Sequence, residues 1–180
     1  MSSKYDQLKL QNQLCFPMYA CSKEIVRQYG PYLKELGLTY TQYIVMMVLW
    51  EDEEISSRDL AERLHLDYGT LTPVLKRLEQ ADYITRERSA SDERTLTLAL
   101  TAKGKKLKDK AVKIPSCMAD AVGLTKEEFE TLYRLTYKAL GNMESQDKGG
   151  KCPCLRSTTL RLRTEKVTTL VLTTTRVRIA

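Results

Sequence analysis

Histidine is almost missing from this chain of 180 residues; His65 is the only one. A single imidazole weighs against catalytic triads and His-based acid–base chemistry. The spacing for a zinc site is missing too: Cys152-Pro153-Cys154 is C-x-C and has no histidine beside it. No C-x-x-C pair is present, so nothing suggests a self-recycling thiol enzyme. No apolar run approaches the length that spans a bilayer. Residues 1–13 are polar and lack the apolar segment of a secretory signal. These absences predict a cytoplasmic chain with no membrane partner, no metal, no cofactor and no catalytic residue. In that compartment the five cysteines are expected as free thiols rather than as a disulfide framework. Phe and Trp are scarce, at two and one, against ten Tyr. The aromatic content therefore carries hydroxyl groups.

Acid is missing from one region only. From Lys148 onward eight basic residues face one acid, Glu165, a net +7. The whole chain is +6, with 29 basic and 23 acidic residues, so residues 1–147 hold 21 basic and 22 acidic, a net −1. If the body binds nucleic acid, it does so through a local basic patch and not a basic average. Residues 157–180 are Thr-rich with Leu, Val and Arg, and have no helical period. They read as a disordered or aggregation-prone appendage, foreign to the working fold.

The body reads as mainly α with one small β-hairpin. Residues 16–30 show near-helical apolar spacing, and Gly30-Pro31 is expected to interrupt them, leaving a short helical piece that stops at Gly37. Thr39 or Thr41 can cap a helix whose run 43–50 is apolar nearly all round, as a core helix is. Ser56 or Ser57 opens an amphipathic stretch, 58–66, with Leu60, Ala61 and Leu64 on one face. Asp67 is a strong N-cap for a helix over 68–81. Two short helices joined by a tight turn make a helix-turn-helix. The second has a core face of Leu71, Val74, Leu75 and Leu78. Its other face carries Tyr68, Thr70, Thr72, Lys76 and Arg77, side chains that can bond to bases and phosphates.

Residues 83–88 and 95–100 alternate apolar and polar around a small polar centre, which predicts a hairpin. Directly after a recognition-helix candidate, that hairpin is a wing. Arg86, Arg88 and Arg94 cluster on it, and Arg suits the narrow, negative minor groove. Thr101 caps a helix expected to run to about Met118 with a bend at Pro115. Its basic run, Lys103 to Lys110, is either a phosphate contact or a solvated face. Thr125-x-x-Glu128 is a capping box for a last helix, 126–142, with an apolar stripe wider than the helix itself needs. Spare apolar surface of that kind suggests a dimer.

One thiol is placed as a reactive one would be. If Pro17 is the first residue of its helix, Cys15 sits just outside the positive end of the helix dipole, which stabilises a thiolate. A small buried apolar residue is the plainer use of a lone cysteine. Cys21, six positions on, faces elsewhere at about 9 Å along the axis, so a bridge to Cys15 would need unwinding.

The wing segment Asp92-x-Arg94 and the run Leu66-Asp67-Tyr68-Gly69-Thr70-Leu71-Thr72-Pro73-Val74-Leu75-Lys76-Arg77-Leu78-Glu79 resemble the MarR family of winged-helix repressors. Asn12-Gln13-Leu14-Cys15-Phe16, Tyr19, Tyr29 and Leu38-Thr39-Tyr40 are similar to its organic-hydroperoxide-sensing, OhrR-type subgroup, with SarZ- and MgrA-like regulators as relatives. The resemblance covers about residues 5–143. It implies a winged helix-turn-helix in which the N- and C-terminal helices form a dimerisation lobe. Residues 1–144 would be the working domain, with dimerisation at 5–36 and 114–143 and the DNA-binding lobe at 39–101; the tail would be 145–180. It implies a homodimer on an inverted repeat of double-stranded DNA, with recognition helices in successive major grooves and wings in the minor groove.

By the same resemblance Cys15 is the redox sensor for organic hydroperoxides. Tyr29 and Tyr40 would donate hydrogen bonds to it from the other subunit, with Tyr19 as an auxiliary. Asp92 would orient Arg94 on the wing. Cys117 is a possible resolving thiol; otherwise a low-molecular-weight thiol would trap the sulfenate as a mixed disulfide. The expected function is a repressor that releases its operator under oxidative stress. A repressor ruled by a phenolic ligand or by general thiol stress is the alternative, and a thiol peroxidase the less favoured one.

Overall fold

The computed structural model describes residues 4–88 and 96–147. The chain divides into two compact units, Met1–Leu124 and Thr125–Ala180. The first opens with short 3-10 turns at Asp6–Leu8 and Leu10–Asn12 and continues into helix α1, Cys15–Leu36. The expected interruption at Gly30-Pro31 does not occur: Pro31 lies inside one continuous helix. A proline in a helix interior costs about 3 kcal/mol. The turn after it carries Leu33 and Leu36, only 2% and 6% exposed. Burying two leucines gains roughly 1.5–3 kcal/mol each, enough to hold that turn in line. Gly37, left-handed at φ 67°, then closes the helix. Its N–H and that of Leu38 donate back to the carbonyls of Lys34 and Leu33 at 3.1 and 3.0 Å.

Helix α2, Tyr40–Asp52, is the centre of the core. Thr39 caps it in a reciprocal box with Gln42. Val45, Met46, Val48, Leu49 and Trp50 are buried, as the apolar run predicts. A strand the alternation did not reveal follows, β1, Glu54–Ser56. Helix α3, Ser57–Arg63, is capped by Ser56 and buries Leu60 and Ala61. Helix α4, Tyr68–Gln80, is capped by Asp67 and buries Leu71, Leu75 and Leu78. The hairpin is present as β2, Ile84–Arg88, and β3, Leu96–Leu100. With β1 they form an antiparallel sheet in the order β1-β3-β2, with Ile55 opposite Leu98 and Arg86 opposite Leu98 on the other side. Three residues are too few for a period-two pattern, so β1 is visible only through its pairing with β3.

The helix expected from Thr101 to Met118 is two helices, α5, Ala102–Ala111, and α6, Ile114–Val122. The break falls just before Pro115, which occupies the first turn of α6, where a missing N–H costs little. Three connections are made by non-glycine residues in the left-handed region: Glu53, His65 and Asp82, with φ of 61°, 51° and 59°. Each ends a helix, and the last two close it with backward bonds, Leu66 N–H to Ala61 and Tyr83 N–H to Leu78.

In the second unit, α7, Lys126–Asp147, begins at a Thr125–Glu128 capping box and runs five residues beyond the expected end. Phe129, Leu132, Tyr133, Leu135 and Tyr137 on it are exposed. Among the described residues no helix is long and apolar enough to cross a membrane. Residues 148–180 of the basic tail lie outside the described residues.

Candidate nucleic-acid interface and thiol site

Helix α4 buries one face and presents the other. Tyr68, Thr70, Thr72, Lys76 and Arg77, the residues singled out on it, are all exposed. The Asp67 carboxylate sets where the helix starts, accepting from the Thr70 N–H and the Thr70 hydroxyl, both at 2.8 Å. Those bonds favour the ionised form and hold Asp67 below its ordinary value. Pro73 falls in the second turn and does not break the helix.

The wing strands and α5 meet the end of α4 at the turn through residues 81–83. Thr101 Oγ1 donates to the Asp82 carbonyl at 2.7 Å, and Lys103 Nζ donates to the Ala81 carbonyl at 2.7 Å. Lys103 also lies over the Tyr83 ring, 4.9 Å from its centroid. Gly104 is required here: a Cβ would stand 2.1 Å from the Tyr83 carbonyl oxygen. The buried Trp50 Nε1–H donates to the Gly104 carbonyl at 2.9 Å and ties α5 to α2. The basic run of α5 is largely engaged within the chain, since Lys105 pairs with Glu53 at 3.0 Å and Lys108 bonds the Trp50 carbonyl at 2.8 Å. That favours the non-phosphate use of these lysines.

Arg86 is also engaged. Its Nε donates to Glu79 Oε2 at 2.9 Å, and Nη2 donates to the same oxygen. The pairing holds the Glu79 carboxyl below its ordinary range. Asp92 and Arg94 lie outside the described residues.

Cys15 is the first residue of α1 and is exposed. Pro17 is therefore the third helical residue and not the first, which puts the thiol in the first turn, among backbone N–H groups that have no partner within the helix. Tyr19, one turn on along the same face, is exposed as well. Tyr29 and Tyr40 are half-buried and lie together, with ring centroids 5.1 Å apart; Tyr43 continues the cluster at 5.8 Å. Burial raises both phenols above their ordinary value, and the neighbouring Tyr40 adds to this for Tyr29. Both therefore keep the proton that makes them donors. Cys15 and Tyr29 are on one continuous helix, fourteen residues apart, or about 21 Å along its axis. One chain cannot bring that thiol and that phenol into contact.

Cys21 is exposed, and Cys117 is half-buried in α6. Cys117 lines a recess of about 440 Å³ with Tyr32, Glu35, Lys110 and Lys113. A second, mostly apolar cavity of about 380 Å³ is lined by Tyr43, Met47, Trp50, Lys108, Val112 and Pro115. Sequence reasoning missed the Glu79–Arg86 pair and the Trp50–Gly104 link. Glu79 lies seven positions before Arg86 across a turn, a spacing that no helical or strand period flags.

Residues 27–111 match the family described as transcriptional regulator SarA/Rot. The organic hydroperoxide resistance transcriptional regulator of Bacillus subtilis is 48% identical over 135 residues, 75% of this chain and 90% of its own length. The regulator SarZ of Staphylococcus epidermidis is 46% identical over 123 residues, 68% of this chain and 83% of its own. Among solved structures, AbfR of Staphylococcus epidermidis superimposes with a TM-score of 0.65 at 35% identity, covering 80% of this chain and 99% of that one. AbfR has also been solved in its reduced form bound to DNA. The exposed α4, the strand pair after it and these likenesses converge: the chain belongs to the SarA/Rot family of MarR-like winged-helix transcriptional regulators.

Proposed function

We propose that the chain is a DNA-binding repressor that senses organic hydroperoxides by oxidation of Cys15 and then releases its operator. The observation that carries this reading is an exposed thiol in the first turn of α1, on a chain whose α4 presents an exposed polar and basic face. The names of the hydroperoxide resistance regulator and of the DNA-bound reduced AbfR support it. Tyr68, Thr70, Thr72, Lys76 and Arg77 form the major-groove surface, and Asp92 with Arg94 forms the wing pair. The working form is a cytoplasmic homodimer on an inverted repeat, held through 5–36 and 114–143, with 39–101 as the DNA-binding lobe. The exposed apolar faces of α1 and α7 are what such a dimer covers. The chain is not an enzyme in this reading, because Cys15 is consumed in each event.

The chemistry follows from the groups named. Cys15 stands in the first turn of α1, among backbone N–H groups that have no partner within the helix. The partner subunit's copies of Tyr29 and Tyr40 donate to it, with Tyr19 beside it. The thiolate attacks one peroxide oxygen and the O–O bond breaks. The other oxygen leaves as an alkoxide and takes a proton to become the alcohol, and Cys15 becomes a sulfenic acid. A small cellular thiol, or Cys117, then displaces water from the sulfenic acid and leaves a disulfide. The tyrosine bonds to the thiolate are lost, the two α4 helices lose their shared register on the DNA, and affinity falls.

Gel shift on operator DNA with and without an organic hydroperoxide tests this. Wild type should release and Cys15→Ser should stay bound; equal release by both contradicts the reading. The cavity of about 380 Å³ favours one second reading, control by a phenolic ligand held against Trp50 and Tyr43. Release by a phenol but not by a peroxide would select it.

A further inference from the structure

We propose that Arg86 is a positioning residue. Through Glu79 it fixes the wing strand β2 to the recognition helix α4, and it does not contact nucleic acid. The inference rests on the reading of α4 and the wing as the DNA-reading elements. Three observations carry it.

The first is the face from which Arg86 departs. Along β2, Ile84 is 2% exposed while Thr85 and Glu87 are exposed. Side chains alternate across a strand, so Arg86 leaves the sheet on the same side as the buried Ile84.

The second is the pairing itself. Both Nε and Nη2 converge on Glu79 Oε2, and the Arg86 side chain is only 20% exposed. The contact joins the end of α4 to the middle residue of β2. A cation neutralised this way has little left to offer a phosphate. A bare Glu79 beside DNA would repel it.

The third is that the turn between the two residues is fixed from another direction. Thr101 and Lys103 hold the Asp82 and Ala81 carbonyls, and Gly104 sits against Tyr83. The base of the wing is thus anchored to α5, and Glu79–Arg86 is the separate brace that sets its angle to α4. An ion pair still open to solvent, with Glu79 38% exposed, contributes little to stability. Its loss is therefore expected in DNA binding and not in the melting temperature.

The test uses full-length protein and a duplex that wild type enriches from a random-sequence pool. Glu79→Gln and Arg86→Gln should each weaken binding about fivefold, and the double variant should be no weaker than either. The dependence of log affinity on log salt should keep the wild-type slope in Arg86→Gln. The exchanged pair, Glu79→Arg with Arg86→Glu, should recover most of the loss. The proposal is overturned if Glu79→Gln binds as well as wild type or better while Arg86→Gln loses affinity and its salt slope falls by about one, as it does when a phosphate contact is removed. A folded exchange variant that binds no better than Arg86→Gln overturns it too. Should the exchange variant fail to fold, Glu79→Gln alone decides by its affinity. Wild type that enriches no duplex at all removes the DNA-reading role itself, a different outcome from either.

Discussion

The stretch from Leu33 to Ala111 and the stretch before Arg27 are built to different standards. The first is finished within one chain. Helix α2 packs against α1, α4, α5 and the sheet, Trp50 is bonded, and every helix from α2 to α5 starts at a side-chain cap. Among the described residues no buried side-chain polar atom lacks a partner. The second is unfinished. Leu14, Phe16, Met18 and Tyr19 face solvent around Cys15, and α1 begins with no side-chain cap. The exposed polar face of α4 stands on the finished part, and the thiol stands on the unfinished one. Under the proposed function, the difference makes the reading surface a property of one chain and the sensing site a property of two. The 21 Å or so between Cys15 and Tyr29 along α1 makes the same point in distance.

The comparison breaks first if the finished region tolerates damage. Leu78→Ala should cost about 2–5 kcal/mol in chemical denaturation, because a fully buried leucine leaves a cavity. Gly104→Ala should destabilise at least as visibly, since its Cβ would need the space of the Tyr83 carbonyl. An unchanged midpoint for both would mean the region is not packed as described. A smaller effect is expected on α7. Leu132→Asp should halve the mass seen in sedimentation while far-UV dichroism keeps its helical signal. A mass that stays at that of the dimer would remove α7 from the interface.

Next in size, Tyr29→Phe or Tyr40→Phe should slow peroxide oxidation of Cys15 by roughly tenfold, the worth of one charge-assisted hydrogen bond. DNA binding by the reduced protein should be unaffected. The smallest effect concerns pH. Asp67 is held below its ordinary value by the Thr70 N–H and hydroxyl. Its contribution is therefore present above the unfolded carboxylate range and lost as pH falls through the folded value. Thermal melts should show the loss there and not between pH 6 and 8, and Asp67→Asn should blunt it.

What could be read in the sequence was what depends on near neighbours. Asp67 before a periodic run fixed the start of α4, Thr125 with Glu128 that of α7, and alternation around 83–88 and 95–100 gave the hairpin. Long-range competition decided the rest. Pro31 stays helical because Leu33 and Leu36 are buried further along. Strand β1 exists because β3 offers it a free edge. Lys103, Lys105 and Lys108 look like a phosphate-binding run until their carbonyl and carboxylate partners are known. For Arg86 the residue type pointed to DNA, while the strand face and Glu79 support the bracing role proposed above.

Mixed dimers test most directly whether two chains complete the sensing site. One subunit would carry Cys15→Ser with its tyrosines intact, and the other Tyr29→Phe and Tyr40→Phe with Cys15 intact. The single remaining thiol then faces wild-type tyrosines only if they come from across the dimer. The account predicts that this thiol is oxidised by an organic hydroperoxide as fast as in wild type, and much faster than in the Tyr29→Phe, Tyr40→Phe homodimer. A mixed dimer as slow as that homodimer would contradict it.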